Sequence, residues 1–138
     1  MRDTLKKRIL SIDDDSSILE AISCVLEIDG YDIISAKNGR LALDLLKSLS
    51  DKELPDLILL DYEMPILNGE EFNRERLLDA RLSKIPVVLM TAASDLKKIM
   101  DKMDVEAYLN KPMGVDSILQ VAHNFIDRRD AARFSFLT

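Results

Sequence analysis

The chain has little of what a secreted or membrane-bound protein needs. Its 138 residues include one cysteine, four glycines and four prolines. The lone Cys24 excludes an internal disulfide and fits a reducing compartment, so a cytoplasmic location is expected. No apolar run approaches the roughly 18 residues that a membrane-crossing helix requires, so no membrane insertion is expected. The charged start, Met1-Arg2-Asp3-Thr4-Leu5-Lys6-Lys7, leads into no signal-peptide core. Repeats, low-complexity tracts and Pro/Gly/Ser linkers are also missing, which leaves one domain. Basic residues are outnumbered, 19 against 25 acidic, for a net charge of −6. That balance argues against direct binding of nucleic acid.

What the chain does have is 47% apolar residues, enough to bury a core, arranged as short runs alternating with longer amphipathic stretches. Arg8-Ile9-Leu10-Ser11-Ile12 reads as a first strand, and Asp15, Ser16 or Ser17 is placed to cap the helix marked by Ile18, Leu19, Ile22, Val25 and Leu26. Gly30 ends that helix, and residues 31–36 form a second strand. A second helix follows Gly39, with Leu41, Ala42, Leu45, Leu46 and Leu49 on one stripe. Leu57-Ile58-Leu59-Leu60-Asp61 is a strand apolar up to its last residue, as expected in a parallel sheet covered on both faces. A third helix is expected over 69–82, its stripe formed by Phe72, Leu77, Leu78 and Leu82. Residues 86–90 make a fourth strand, 94–103 a short helix with Ser94 as its cap, and 107–109 a fifth strand. Val115, Ile118, Leu119, Ala122, Phe125 and Ile126 mark a final helix from Gly114 onward. Five strand–helix alternations imply an α/β domain with a parallel sheet and right-handed crossovers.

In such a sheet, ligands bind beyond the carboxyl ends of the strands. The residues there are Asp13 and Asp14 after the first strand, Asp61 after the third, Thr91 after the fourth and Lys111 after the fifth. Asp13 and Asp14 on their own also read as a solvated turn. Asp61, closing an apolar strand, is harder to explain without a partner. Clustered carboxylates repel one another and call for a divalent cation; Mg²⁺ prefers such oxygen ligands. A carboxylate can also act as a nucleophile toward a phosphoryl group, whose charge a metal and a lysine would meet.

These features resemble the receiver domain of bacterial two-component response regulators. The resemblance covers roughly residues 8–127. It rests on Ile12-Asp13-Asp14-Asp15, on Pro55 to Asp61 followed by Met64-Pro65 and Asn68-Gly69, on Pro86 to Thr91-Ala92, and on Tyr108 with Lys111-Pro112. It implies a flavodoxin-like receiver fold, with five parallel strands in the order 2-1-3-4-5 and helices on both faces. Residues 6–128 would form the receiver, and 129–138 an extension of the last helix or a tail. Asp61 would accept the phosphoryl group, and Mg²⁺ (or Mn²⁺) would be held by Asp13, Asp14, Asp61 and the main-chain carbonyl of Glu63. Thr91 and Lys111 would contact the phosphoryl group, Thr91 and Tyr108 would form a switch pair, and Lys111-Pro112 would be cis. The family's usual glycine before the fifth strand is missing from Met103-Asp104-Val105-Glu106-Ala107.

The resemblance implies a phosphoprotein of a phosphorelay rather than an enzyme. Its donor would be a histidine kinase or phosphotransfer protein, and its output an unidentified downstream protein. The alternative is a receiver-fold interaction module that works without phosphorylation. An α/β enzyme is disfavoured, since there is no Gly-x-Gly-x-x-Gly, no Gly-Lys-Ser/Thr loop and no aspartate two residues after Asp61. Cys24 is read as a packed small hydrophobe, His123 as a partly buried structural histidine, and Met100 and Met103 as core filler. Tyr62 either screens the site or covers surface. Phe134, Phe136 and Leu137 in an arginine-bearing tail suggest a helix extension or a homodimer contact through the last helix or tail.

Overall fold

In a computed structural model, residues 6–92 and 96–127 are described. Strand β1 (Arg8–Ile12) leads to helix α1 (Ser16–Ile28), then β2 (Asp32–Ala36), α2 (Gly39–Ser48), a 3₁₀ turn (Asp51–Glu53) and β3 (Leu57–Asp61). Helix α3 (Gly69–Leu77), β4 (Val87–Thr91), α4 (Leu96–Lys102), β5 (Ala107–Asn110) and α5 (Val115–Ala122) follow, the last continuing into a π-helical turn over His123–Asp127. All strand pairs are parallel, in the order β2-β1-β3-β4-β5, as the resemblance implies.

Alternation along the strands builds two cores. Leu10, Ile12, Ile58, Leu60, Val87 and Leu89 face α2, α3 and α4, meeting Leu43, Leu46, Phe72 and Ile99. Ile9, Leu57, Leu59, Val88 and Met90 face α1 and α5, meeting Ile22, Leu26, Ile118 and Val121. Every residue of β3 and β4 is buried, which explains why those runs show no alternation in sequence. Truncating one such leucine to alanine would cost about 2–5 kcal/mol.

Local chemistry sets the helix boundaries. Asp15 caps α1 by accepting from the amides of Ser17 and Ile18, while Ser16 and Ser17 are already the first two helical residues. After α1, Gly30 takes a φ of 96°, a left-handed turn that glycine adopts without steric cost. Asn68 and Glu71 form a reciprocal capping box at the start of α3, a signature that stands in the sequence.

Several expectations are corrected. Helix α3 ends at Leu77 instead of Leu82; Leu77 and Leu78 are both exposed, Leu78 at 84%, whereas Asn73 and Arg76 are buried with Phe72. Leu82 is buried, but from the loop before β4. Leu41 and Val115 face solvent: Leu41 lies on the side of α2 away from the buried Gly39, Ala42, Leu43 and Leu46, and Val115 is the first residue of α5. Cys24 is exposed rather than packed, since α1 turns Leu19, Ile22 and Leu26 inward. His123 is also exposed; its Nε2 meets Asp29 Oδ2 at 2.6 Å across the α1–α5 junction. Met103 does fill the core, and Tyr62 packs half-buried against the α2–α4 side. Ser94, the side chain of Met100 and the tail 129–138 lie outside the described residues, as does any dimer contact through that tail. No helix among the described residues is long and apolar enough to cross a membrane.

Candidate functional site

Strand register puts the polar residues together. In a parallel pair, residues in register point to the same face. Ile9, Ser11 and Asp13 alternate on the α1–α5 side, and Leu57, Leu59 and Asp61 lie on that same side. Leu109 belongs there too, so Lys111, two residues on, extends the row beyond β5. Thr91 and Tyr108 occupy the opposite face, since Tyr108 is in register with Leu89 and Thr91 follows Leu89 by two. The five residues thus form two groups at one rim.

Asp14, next in the chain, joins the first group: carboxylate oxygens of Asp13, Asp14 and Asp61 lie within 4.8 Å of one another. Asp13 and Asp61 are buried, while Asp14 is exposed. The Lys111 ammonium sits between them, 2.9 Å from Asp13 Oδ2 and 3.0 Å from Asp61 Oδ1. Its main-chain amide donates to the carbonyl of Thr91 (2.9 Å), which ties the start of this loop to β4. The Lys111-Pro112 bond is cis. Asp13 is itself oriented, accepting from the amide of Asp15 (2.9 Å). Glu63 is exposed in the turn after β3, and its side chain is not part of the carboxylate cluster.

Electrostatics reflect this crowding. Burial pushes the Asp61 carboxyl up to about 6; the hydrogen bond from Lys111 opposes that rise, and Asp13 and Asp14 add to it. Burial alone would lower the Lys111 pKa, but its hydrogen bonds to Asp13 and Asp61 outweigh this and hold the ammonium above its ordinary value. Three carboxylates against one ammonium leave net negative charge in a half-dry pocket, with oxygen donors only. That set fits a hard divalent cation. In the second group, burial raises the Tyr108 hydroxyl pKa, helped by Asp101 and Asp104. Thr91 is fully buried at the end of β4.

The turn after Asp61 is tightly built. Gly69 donates its amide to the Tyr62 carbonyl (3.0 Å), and a Cβ on Gly69 would lie 2.8 Å from the Asp61 carbonyl oxygen. Close approach, rather than an unusual φ, demands glycine there. Between them Ile66 adopts a φ of 71° while 78% exposed, a strained conformation for a β-branched residue. Neither Ile66 nor the buried pair Asn73 and Arg76 was singled out by sequence reasoning. The only available signal was polar residues placed beside Phe72 on the inward stripe of α3.

A parallel sheet in this order, with clustered carboxylates and a lysine beyond its carboxyl ends, is the arrangement of a response regulator receiver domain. The chain belongs to the response regulator receiver domain family, whose model matches residues 9–123. It is 33% identical over 133 residues to the probable transcriptional regulator ycf27 of Porphyridium aerugineum, covering 92% of this chain and 51% of that protein. It is 32% identical over 115 residues to protein PilH of Pseudomonas aeruginosa, covering 82% of this chain and 92% of that one. A solved response regulator receiver domain protein from Clostridium thermocellum is 28% identical, with a TM-score of 0.77 over 91% of this chain and 98% of that one. The chain spans about half the length of ycf27 and of several other curated relatives it matches.

Proposed function

We propose that this receiver takes a phosphoryl group onto Asp61 from a histidine kinase or phosphotransfer protein and thereby alters a protein-binding surface. The observation that carries the reading is the Lys111 ammonium bridging Asp13 and Asp61 within a three-carboxylate cluster. A carboxylate oxygen of Asp61 attacks phosphorus, the P–N bond of the donor's phosphohistidine breaks, and its electron pair leaves with the imidazole. Asp13, Asp14, Asp61 and the Glu63 carbonyl would hold Mg²⁺. When bound, that cation neutralises charge gathering on the transferred oxygens.

The protein's own groups do the rest. Lys111 stays charged through the physiological range, because its pKa is raised, and presents a cation to the incoming group. With its pKa near 6, Asp61 is mostly ionised at neutral pH and available as a nucleophile. Thr91 would donate its hydroxyl to a phosphoryl oxygen. Its shift would be felt by Tyr108, which lies on the same face of the sheet. The test is incubation with acetyl phosphate plus Mg²⁺, followed by intact-mass measurement. One added phosphoryl group in wild type and none in Asp61→Asn is expected; labelling of the variant, or of neither protein, would overturn the reading.

A further inference from the structure

Asn73 and Arg76 form a polar network in which the acidic site takes no part. Arg76 is 1% exposed. Its Nε and Nη2 donate to Asn73 Oδ1 (3.0 and 2.9 Å), and its Nη1 to the carbonyls of Leu82, Ser83 and Ile85 (3.2, 3.2 and 3.0 Å). Asn73 in turn donates from Nδ2 to the carbonyl of Asp104 (3.1 Å). One guanidinium and one amide therefore join α3 to the loop entering β4 and to the loop entering β5. The bonded partners of Arg76 are neutral oxygens, with Glu106 and Asp104 offsetting its burial only at longer range.

Arg76 gives three carbonyls in the loop before β4 a donor, and the Asn73 amide carries the network on to the Asp104 carbonyl before β5. The opposite end of the same helix is fixed to Asp61. Gly69 is bonded to the Tyr62 carbonyl and packs so closely on the Asp61 carbonyl that no Cβ fits between them. A short helix thus touches the acceptor's backbone at its first residue and grips the loop before β5 from its far half. Tyr108 lies only four residues past Asp104.

We propose that α3, held by Asn73 and Arg76, is a strut that couples the backbone at Asp61 to the loop entering β5, a route separate from Thr91. The proposal rests on Asp61 being the acceptor. A coupling network of this kind has physical content only if removing it uncouples the two ends.

The test is hydrogen exchange followed by mass spectrometry on wild type, Asn73→Ala and Arg76→Met. Each is compared in Mg²⁺ and in Mg²⁺ with beryllofluoride, in two windows, residues 61–69 and 103–107. Wild type is expected to respond in both. The variants should respond normally at 61–69 and lose at least about threefold of the response at 103–107. Thermal melts run alongside: a merely architectural role lowers the Tm but keeps the wild-type ratio of the two responses, and that result overturns the strut. A wild type responding only at 61–69 overturns it as well. No wild-type response in either window removes the acceptor reading, and the strut with it. Should Arg76→Met fail to fold, Asn73→Ala alone decides, since it removes the Asp104 bond.

Discussion

The two ends of the sheet treat charge in opposite ways. At the amino ends of the strands, charges are matched. Arg8 meets Asp32 (2.8 Å) and the Glu53 carbonyl (2.8 Å), its amide bonds Asp56 (2.9 Å), and Arg81 meets Asp51 (2.6 Å). Glu106 accepts from the Val87 amide. At the carboxyl ends, three carboxylates share one ammonium, an isoleucine holds a left-handed φ, and helix α3 starts against bare backbone. One end is arranged for stability; the other carries uncompensated charge and strain, as functional sites do.

The largest expected effect tests how tightly the carboxyl end is built. Gly69→Ala drives a Cβ into the Asp61 carbonyl and should cost about 3 kcal/mol, measured by urea unfolding. Next is the charge itself. Asp61 has a folded pKa near 6 against an ordinary 3.8, so the folded state binds its proton more tightly than the unfolded state does. Stability is therefore lost as pH rises from about 4 to about 6, and the loss is complete above that. Without divalent cations, Asp61→Asn should gain about 2 kcal/mol at pH 7.5 and flatten the profile between pH 4 and 6. Adding Mg²⁺ to wild type should recover much of that difference. An Asp61→Asn variant no more stable than wild type in EDTA would dissolve the contrast between the two ends.

At the amino end, the same logic gives the opposite sign. Arg8→Ala should destabilise by about 1 kcal/mol, with no change in acetyl phosphate labelling. The smallest effect is expected at Ile66. Asn tolerates the left-handed region, so Ile66→Asn should raise stability by about 0.5–1 kcal/mol, seen as a Tm rise of a few degrees.

Much of this was legible in the sequence wherever burial and hydrophobicity coincide. The strands β1, β3 and β4 and the polar residues closing them could be placed from their apolar runs alone, and register then brought Asp13, Asp61 and Lys111 together. Reading failed where polar residues went inside. Helix α3 buries Asn73 and Arg76, so its inward face has no hydrophobic signature, and Leu77 and Leu78 suggested a stripe that the helix turns outward. Apolar residues misled as well: Leu41 and Val115 were read into their helices' stripes, yet both face solvent, Leu41 from the outward side of α2. The strain at Ile66 belongs to a backbone angle, which no side-chain pattern displays.

Strand β3 is the middle strand of the five and is buried along its whole length, whereas β5 is an edge strand, half-buried to exposed. Amides of β3 should therefore exchange with solvent only when the molecule opens globally, and those of β5 through smaller, local openings. Asp61 closes a central strand that is buried along its whole length. Tyr108 sits on the less buried edge strand, where local opening costs less than it does beneath Asp61.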